Sequence, residues 1–263
     1  MNVLKPMIKE ELEKIFDKKA IEILEFQLEK SIIAQPEVKR YQDNQRLQIT
    51  KEYLEQWCVQ AIDAEPVGAG SYPVDVIGKT GDLKWGADIK SLACKINKNG
   101  ELSDSESGET SLAQKFTGTG TDLDILFKNK QYNQIKDGWL EIVKRKNESV
   151  LKDHELDKIY YFFFLRGDQK FYLCGIEVNI DNLPNVNVNV ENTTNDSLFL
   201  NNYIEKKYGS TKIYKAKKRL ELRLRPKNWV EDGLCIELTI PKSLETVDLR
   251  KVDLESYKKL LFR

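Results

Sequence analysis

Between residues 7 and 33 apolar side chains recur at Leu12, Ile15, Phe16, Ile21, Ile23, Leu24, Phe26, Leu28 and Ile32, with charged residues between them. The spacing approximates the helical repeat and predicts an amphipathic helical start, which Pro36 breaks. A second helical stripe runs from Gln48 to Ile62 through Ile49, Tyr53, Leu54, Trp57, Cys58 and Ala61, and the cluster Glu65 to Gly70 ends it. The pattern then changes period. Val74, Val76 and Ile77 suit a strand over Pro73 to Gly78, Lys79-Thr80-Gly81-Asp82 reads as a turn, and Lys84 to Cys94 reads as the returning strand of a hairpin. Asn97 to Thr121 is rich in Ser, Gly, Thr and Glu, and much of it is expected to be loop. A helix follows over Asp122 to Lys146, interrupted near Asn129 to Asn133, and then a second hairpin of Lys158 to Leu165 and Gln169 to Val178 turned at Gly167-Asp168. Asn182 to Asn195 reads as loop, Ser197 to Tyr208 as helix, and Lys212 to Tyr214, Arg219 to Leu224 and Leu234 to Ile240 as strands, before a terminal segment around Leu254 to Leu261.

Helices first, then strands alternating with helices, imply an α/β fold: a central mixed β-sheet flanked by helices, with an N-terminal helical segment. A chain of 263 residues suits one domain, read here as an N-terminal arm over 1–47, a core over 48–180 and a C-terminal region of strands and helices over 181–263. The most apolar run, Ile159 to Leu165, is strand-sized, so no membrane span is expected. The N-terminus lacks an apolar signal region, and a cytoplasmic location is expected.

Composition removes several chemistries. The single histidine, His154, rules out multi-histidine metal sites and paired-histidine chemistry within one chain. The four cysteines, Cys58, Cys94, Cys174 and Cys235, form no C-x-x-C pair and read as buried thiols. Gly78-Lys79-Thr80 looks like the end of a phosphate-binding P-loop, but Pro73 stands where its first glycine is required. Lys plus Arg and Asp plus Glu balance at 42 each, so the total charge gives no footprint for nucleic acid. The distribution is uneven, however: Glu205 to Lys227 holds ten basic residues against two acids.

The hairpin carries the chemistry. Side chains alternate along a strand, so Asp88 and Lys90 share one face while Trp85, Ala87 and Ile89 take the other, and pairing with the preceding strand brings Asp75 beside them. Two adjacent carboxylates repel unless a cation joins them, and oxygen ligation suits Mg²⁺. A neighbouring lysine can orient or deprotonate water and offset phosphate charge. Charges on an otherwise apolar run from Trp85 to Leu92 would be costly as ordinary surface residues. Asp82-Leu83-Lys84 offers a rival acid-x-lysine triplet, ranked second because Asp82 falls in the turn.

At Asp75 and Asp88-Ile89-Lys90 the sequence resembles the PD-(D/E)XK nucleases, in which one acid opens a strand and an acid-x-lysine triplet lies on the next. The resemblance covers about residues 50 to 180 by element order, and the family's Pro-Asp pair is split here as Pro73-Val74-Asp75. It implies a restriction-endonuclease-like core, Mg²⁺ held by Asp75, Asp88 and the backbone carbonyl of Ile89, and hydrolysis of DNA assisted by Lys90. Glu55 matches a glutamate that some members add from the preceding helix, with Glu52 as the alternative. Size and organisation are most similar to a type II restriction enzyme acting on double-stranded DNA as a homodimer. A repair, junction-resolving or toxin nuclease is the alternative within enzymes, and a non-catalytic DNA-binding protein the alternative outside them. Lys217, Arg219, Arg223 and Arg225 in the basic segment, with Lys115 in the 97–121 loop, are the expected DNA contacts.

Overall fold

The computed structural model describes residues 1–33, 49–67, 72–116, 120, 122–167, 170–240 and 250–261. The sequence expectations at Pro36, Gln48, Gly68 to Gly70, Gly118-Thr119 and Asp168 lie outside them. Along the chain the elements are β1 (Leu4–Pro6), α1 (Lys9–Glu13), α2 (Lys18–Ile33), α3 (Lys51–Ala61), β2 (Glu65–Pro66), β3 (Val76–Thr80), β4 (Leu83–Ala93), β5 (Ser107–Gln114), α4 (Leu123–Lys128), α5 (Tyr132–Asp153), β6 (Lys158–Arg166), β7 (Phe171–Val178), β8 (Asn187–Asn189), β9 (Ser197–Asn201), β10 (Gly209–Tyr214), β11 (Arg219–Leu224), α6 (Pro226–Glu231), β12 (Cys235–Leu238) and α7 (Leu254–Leu261). No described helix is long and apolar enough to cross a membrane.

The α/β class and the mixed sheet are as expected. A seven-stranded sheet has the order β1-β7-β6-β4-β3-β2, with β12 also paired to β7. β4 and β6 run parallel and the other neighbours antiparallel. Parallel strands need a long crossover, and here it contains α4 and the 22-residue helix α5. Strand β6 is buried on both faces: Tyr160, Phe162 and Phe164 join α1–α3 on one side, and Tyr161, Phe163 and Leu165 join α5 and the second sheet on the other. On the first side Leu12, Phe16, Leu24, Leu28, Leu54 and Cys58 cover Trp85, Ala87 and Ile89 of β4.

Four expectations need correction. The N-terminal segment is not purely helical, because Leu4–Pro6 pairs with β7 before the helices begin. The stretch Asn97 to Thr121, read mostly as loop, contains β5, whose Leu112 and Ala113 are buried and which pairs with β11. Ser197 to Tyr208, read as helix, instead opens with β9, where Leu198 and Leu200 point into the core. Asn187–Asn189, within the second expected loop, is a short strand paired to β9. Together with β10 and β11 these strands build a second, five-stranded sheet in the order β5-β11-β10-β9-β8. Short segments of this kind lack enough periods to declare themselves, and cross-strand partners override weak propensity. The remaining expected elements fall near their places, with the helical start divided into α1 and α2 and with α5 reaching seven residues beyond Lys146, to Asp153, whereas β2 and α6 had no counterpart in the sequence pattern.

Candidate active site

The β3–β4 hairpin turns at Gly81, whose positive φ of 61° is open to glycine at no steric cost. Above the turn Gly78 faces Trp85 in register, and a Cβ there would sit 2.3 Å from the indole ring. The ring therefore lies flat across β3, donates its N–H to Thr80 Oγ1 at 2.9 Å and meets Tyr160 and Phe162 edge-on. This packing turns the Trp85, Ala87 and Ile89 side chains into the core and leaves Asp88 and Lys90 on the α5 face, as strand alternation requires.

Asp75 stands one residue before β3 and its backbone is tied on both sides. Its N–H donates to the Ala87 carbonyl at 2.8 Å, and its carbonyl accepts from the Val67 N–H at 2.9 Å. Its carboxylate then reaches over β4, where Oδ2 accepts the Ile89 N–H at 2.7 Å. Backbone groups of alternate residues point to the same side of a strand, so the Ile89 carbonyl faces the same side as that N–H. Asp88 Oδ2 pairs with Lys90 Nζ at 2.6 Å. Asp75, Asp88 and Lys90 thus come together, and burial together with the Asp88 carboxylate pushes the Asp75 carboxyl up to about 6.

Two further lysines, which sequence reading passed over, enter this cluster. Lys51, the first residue of α3, places Nζ 2.6 Å from Glu55 Oε1, 3.3 Å from Asp75 Oδ2 and 4.0 Å from Asp88 Oδ1. Burial lowers its basicity, but the Glu55 hydrogen bond and the charges of Asp88 and Asp75 outweigh it and raise the net value. Lys146 of α5 makes no hydrogen bond or ion pair among the described residues; burial lowers its pKa while Asp88 and Asp75 oppose that shift. The one available sequence signal for Lys51 was its i, i+4 spacing to Glu55. Nothing local distinguished Lys146.

Glu55 joins the cluster through Lys51, whereas Glu52 is exposed in the first turn. The rival triplet points elsewhere, since Asp82 is exposed in the turn and Lys84 Nζ donates to the His154 carbonyl at 2.6 Å. No group of three or more His, Cys, Asp or Glu side chains that could hold a metal forms among the described residues. The available donors are two carboxylates and a backbone carbonyl, a set that suits an ion keeping several of its own waters, as Mg²⁺ does. The fit has a physical basis: burial and the neighbouring Asp88 carboxylate raise the Asp75 carboxyl, and a divalent ion held between the two acids would offset both.

The five expected DNA contacts lie on or beside β11 and the end of β5. Lys217 and Arg223 both pair with Glu109, and Arg225 lies 3.6 Å from Glu106. Lys227, Lys215 and Lys218 pair with Asp104, Asp124 and Asp122. Much of the basic excess is therefore answered by acids from β5, the loop before it and the start of α4. Arg219 and Lys115 have no such partner among the described residues, and they sit close together because Arg219 is in register with Gln114. None of the four cysteines is in a disulfide; Cys58, Cys94 and Cys174 are buried as expected, whereas Cys235 is half-buried. Comparison with protein-family models, curated proteins and solved structures gives no match for this chain.

Proposed function

We propose that the protein is a Mg²⁺-dependent endonuclease of double-stranded DNA, most similar to a type II restriction enzyme. The observation that carries this reading is the meeting of Asp75, Asp88 and Lys90 on one face of the β3–β4 hairpin, with Asp75 and Asp88 both within reach of a single ammonium group. Asp75, Asp88 and the Ile89 carbonyl would hold the Mg²⁺, which when bound lowers the pKa of a water and offsets charge on the scissile phosphate. Lys90 Nζ, kept in place by Asp88, orients the attacking oxygen opposite the departing 3′ oxygen. Lys146, which has no hydrogen-bond or ion-pair partner among the described residues, is available to the non-bridging phosphate oxygens. Trp85, Ala87 and Ile89 close the opposite side of the strand to water and hold the two acids at fixed separation.

Plasmid DNA incubated with the protein and Mg²⁺ is expected to give discrete bands that chelation abolishes. Smears or single-strand nicks would redirect the reading to a repair, junction-resolving or toxin nuclease, and intact DNA to a binding protein. A palindromic site calls for two copies, one per strand, so sedimentation with cognate DNA should show a dimer.

Two further results are expected. Because the folded Asp75 carboxyl titrates near 6, above its ordinary 3.8, the folded protein favours the protonated form. Any stability this lends is present at low pH and is lost as pH rises through 6, while a metal must displace that proton. Divalent-ion affinity measured by calorimetry should therefore rise between pH 5 and 7, with proton release on binding, and level off above. Asp88, Glu55 and Lys51 face the titrating group, and Asp75→Asn should abolish the pH step. On the second sheet, Lys115→Ala and Arg219→Ala should weaken DNA binding and each lower the slope of log affinity against log salt by about 0.9. An unchanged slope would remove these two residues from the interface.

A further inference from the structure

Lys51 occupies an unfavourable place for a cation. It is the first residue of α3, where the positive end of the helix dipole repels an ammonium group, and the preceding Thr50 supplies no side-chain cap. What holds it there is the ring of carboxylates: Glu55 from its own helix, Asp75 from the approach to β3 and Asp88 from β4. Asp88 divides its oxygens, Oδ2 to Lys90 and Oδ1 toward Lys51. Asp75 Oδ2 is likewise shared between the Ile89 N–H and Lys51. A divalent ion bridging Asp75 and Asp88 would meet the Lys51 charge at the same oxygens. The two lysines differ in freedom to move, because the Lys90 side chain is 9% exposed and that of Lys51 is 45% exposed.

We infer that Lys51 is the internal counter-cation of the two aspartates, that a divalent metal displaces it on binding, and that it thereby sets the metal affinity of the site. This rests on the metal-site reading given above. The displaced side chain keeps Glu55 as a partner at i+4 on its own helix and stays at the rim, where a substrate phosphate can draw it on.

The test is Mn²⁺ binding by calorimetry, or by electron paramagnetic resonance of the free ion, on the full chain without DNA. Lys51→Met and Lys51→Gln should bind Mn²⁺ on the order of tenfold more tightly than wild type, since the ion no longer expels a unit charge a few ångströms away. Lys51→Arg, which keeps the charge, should stay near wild type. Without metal, Lys51→Met should melt below wild type, and saturating Mn²⁺ should close that gap. Equal or weaker binding by both neutral variants overturns the inference, as does an arginine variant that behaves like methionine. Asp88→Asn separates the two levels. Saturable binding in wild type that Asp88→Asn abolishes and Lys51→Met leaves unchanged overturns the role of Lys51 alone. Absence of binding in wild type and both neutral variants overturns the metal site as well.

Discussion

Asp88→Ala and Lys90→Ala are each expected to reduce the proposed Mg²⁺-dependent cleavage of duplex DNA by about 10²- to 10⁴-fold, the range for losing a positioned acid–base or charge-stabilising group. The two losses differ in kind. Asp88→Ala removes a ligand oxygen and also strips Lys90, 8% exposed, of its 2.6 Å partner, so the variant should lose both metal affinity and about 1–3 kcal/mol of stability. Asp88→Asn keeps a hydrogen-bond acceptor for Lys90 and should recover part of the stability but none of the cleavage. Lys90→Ala leaves both aspartates in place and removes a competing positive charge. Its metal affinity should hold or improve while single-turnover cleavage collapses. Wild-type cleavage rates in these variants, with folding verified by circular dichroism, would sink the proposed site.

The largest stability effect is expected from Trp85→Ala. The side chain is 2% exposed, its ring covers Gly78, and it packs against Tyr160 at 6.0 Å and Phe162 at 5.8 Å between centroids. Removing it empties that space and leaves the Thr80 hydroxyl without its indole donor. Core truncations of this size cost about 3–5 kcal/mol. For a domain of this length that corresponds to a melting temperature lower by roughly 6 to 20 °C. Because β4 carries Asp88 and Lys90 three and five residues farther on, metal affinity should fall as well. Trp85→Phe, which still fills part of the space, should recover most of the loss. A melting temperature for Trp85→Ala within about 2 °C of wild type would show that the ring does not anchor the hairpin.

Most of the site was legible because it is local. The period-two alternation of Trp85 to Lys90, a glycine turn and an acid on the facing strand together place Asp75, Asp88 and Lys90 on one face without knowledge of the rest of the chain. The turn also disposed of the rival triplet, and Lys84 proves to be engaged with the carbonyl of His154. Lys51 and Lys146 were not legible. A lysine opening one helix and a lysine deep in another look like any solvated helical residue until α3 packs on β4 and the crossover from β4 to β6 swings α5 over the other face of the sheet.

The basic segment shows the same limit from the opposite side. Its ten cations among two acids were plain in the sequence, but many of the acids that answer them, Asp104, Glu106, Glu109, Asp122 and Asp124, come from about a hundred residues earlier, beside the nearby Glu221, Glu231 and Asp232. They meet because β5 pairs with β11, and β5 itself was hidden in a polar stretch with the composition of a loop. Periodicity and turn chemistry act over a few residues, so the sequence by itself determined the hairpin, its two faces and the identity of its three charged residues. The tertiary structure alone decided which distant charges approach them, that a second sheet exists, and that Lys51 stands among the carboxylates. Those outcomes depend on pairing and packing between segments far apart in the chain, where the local pattern carries no information.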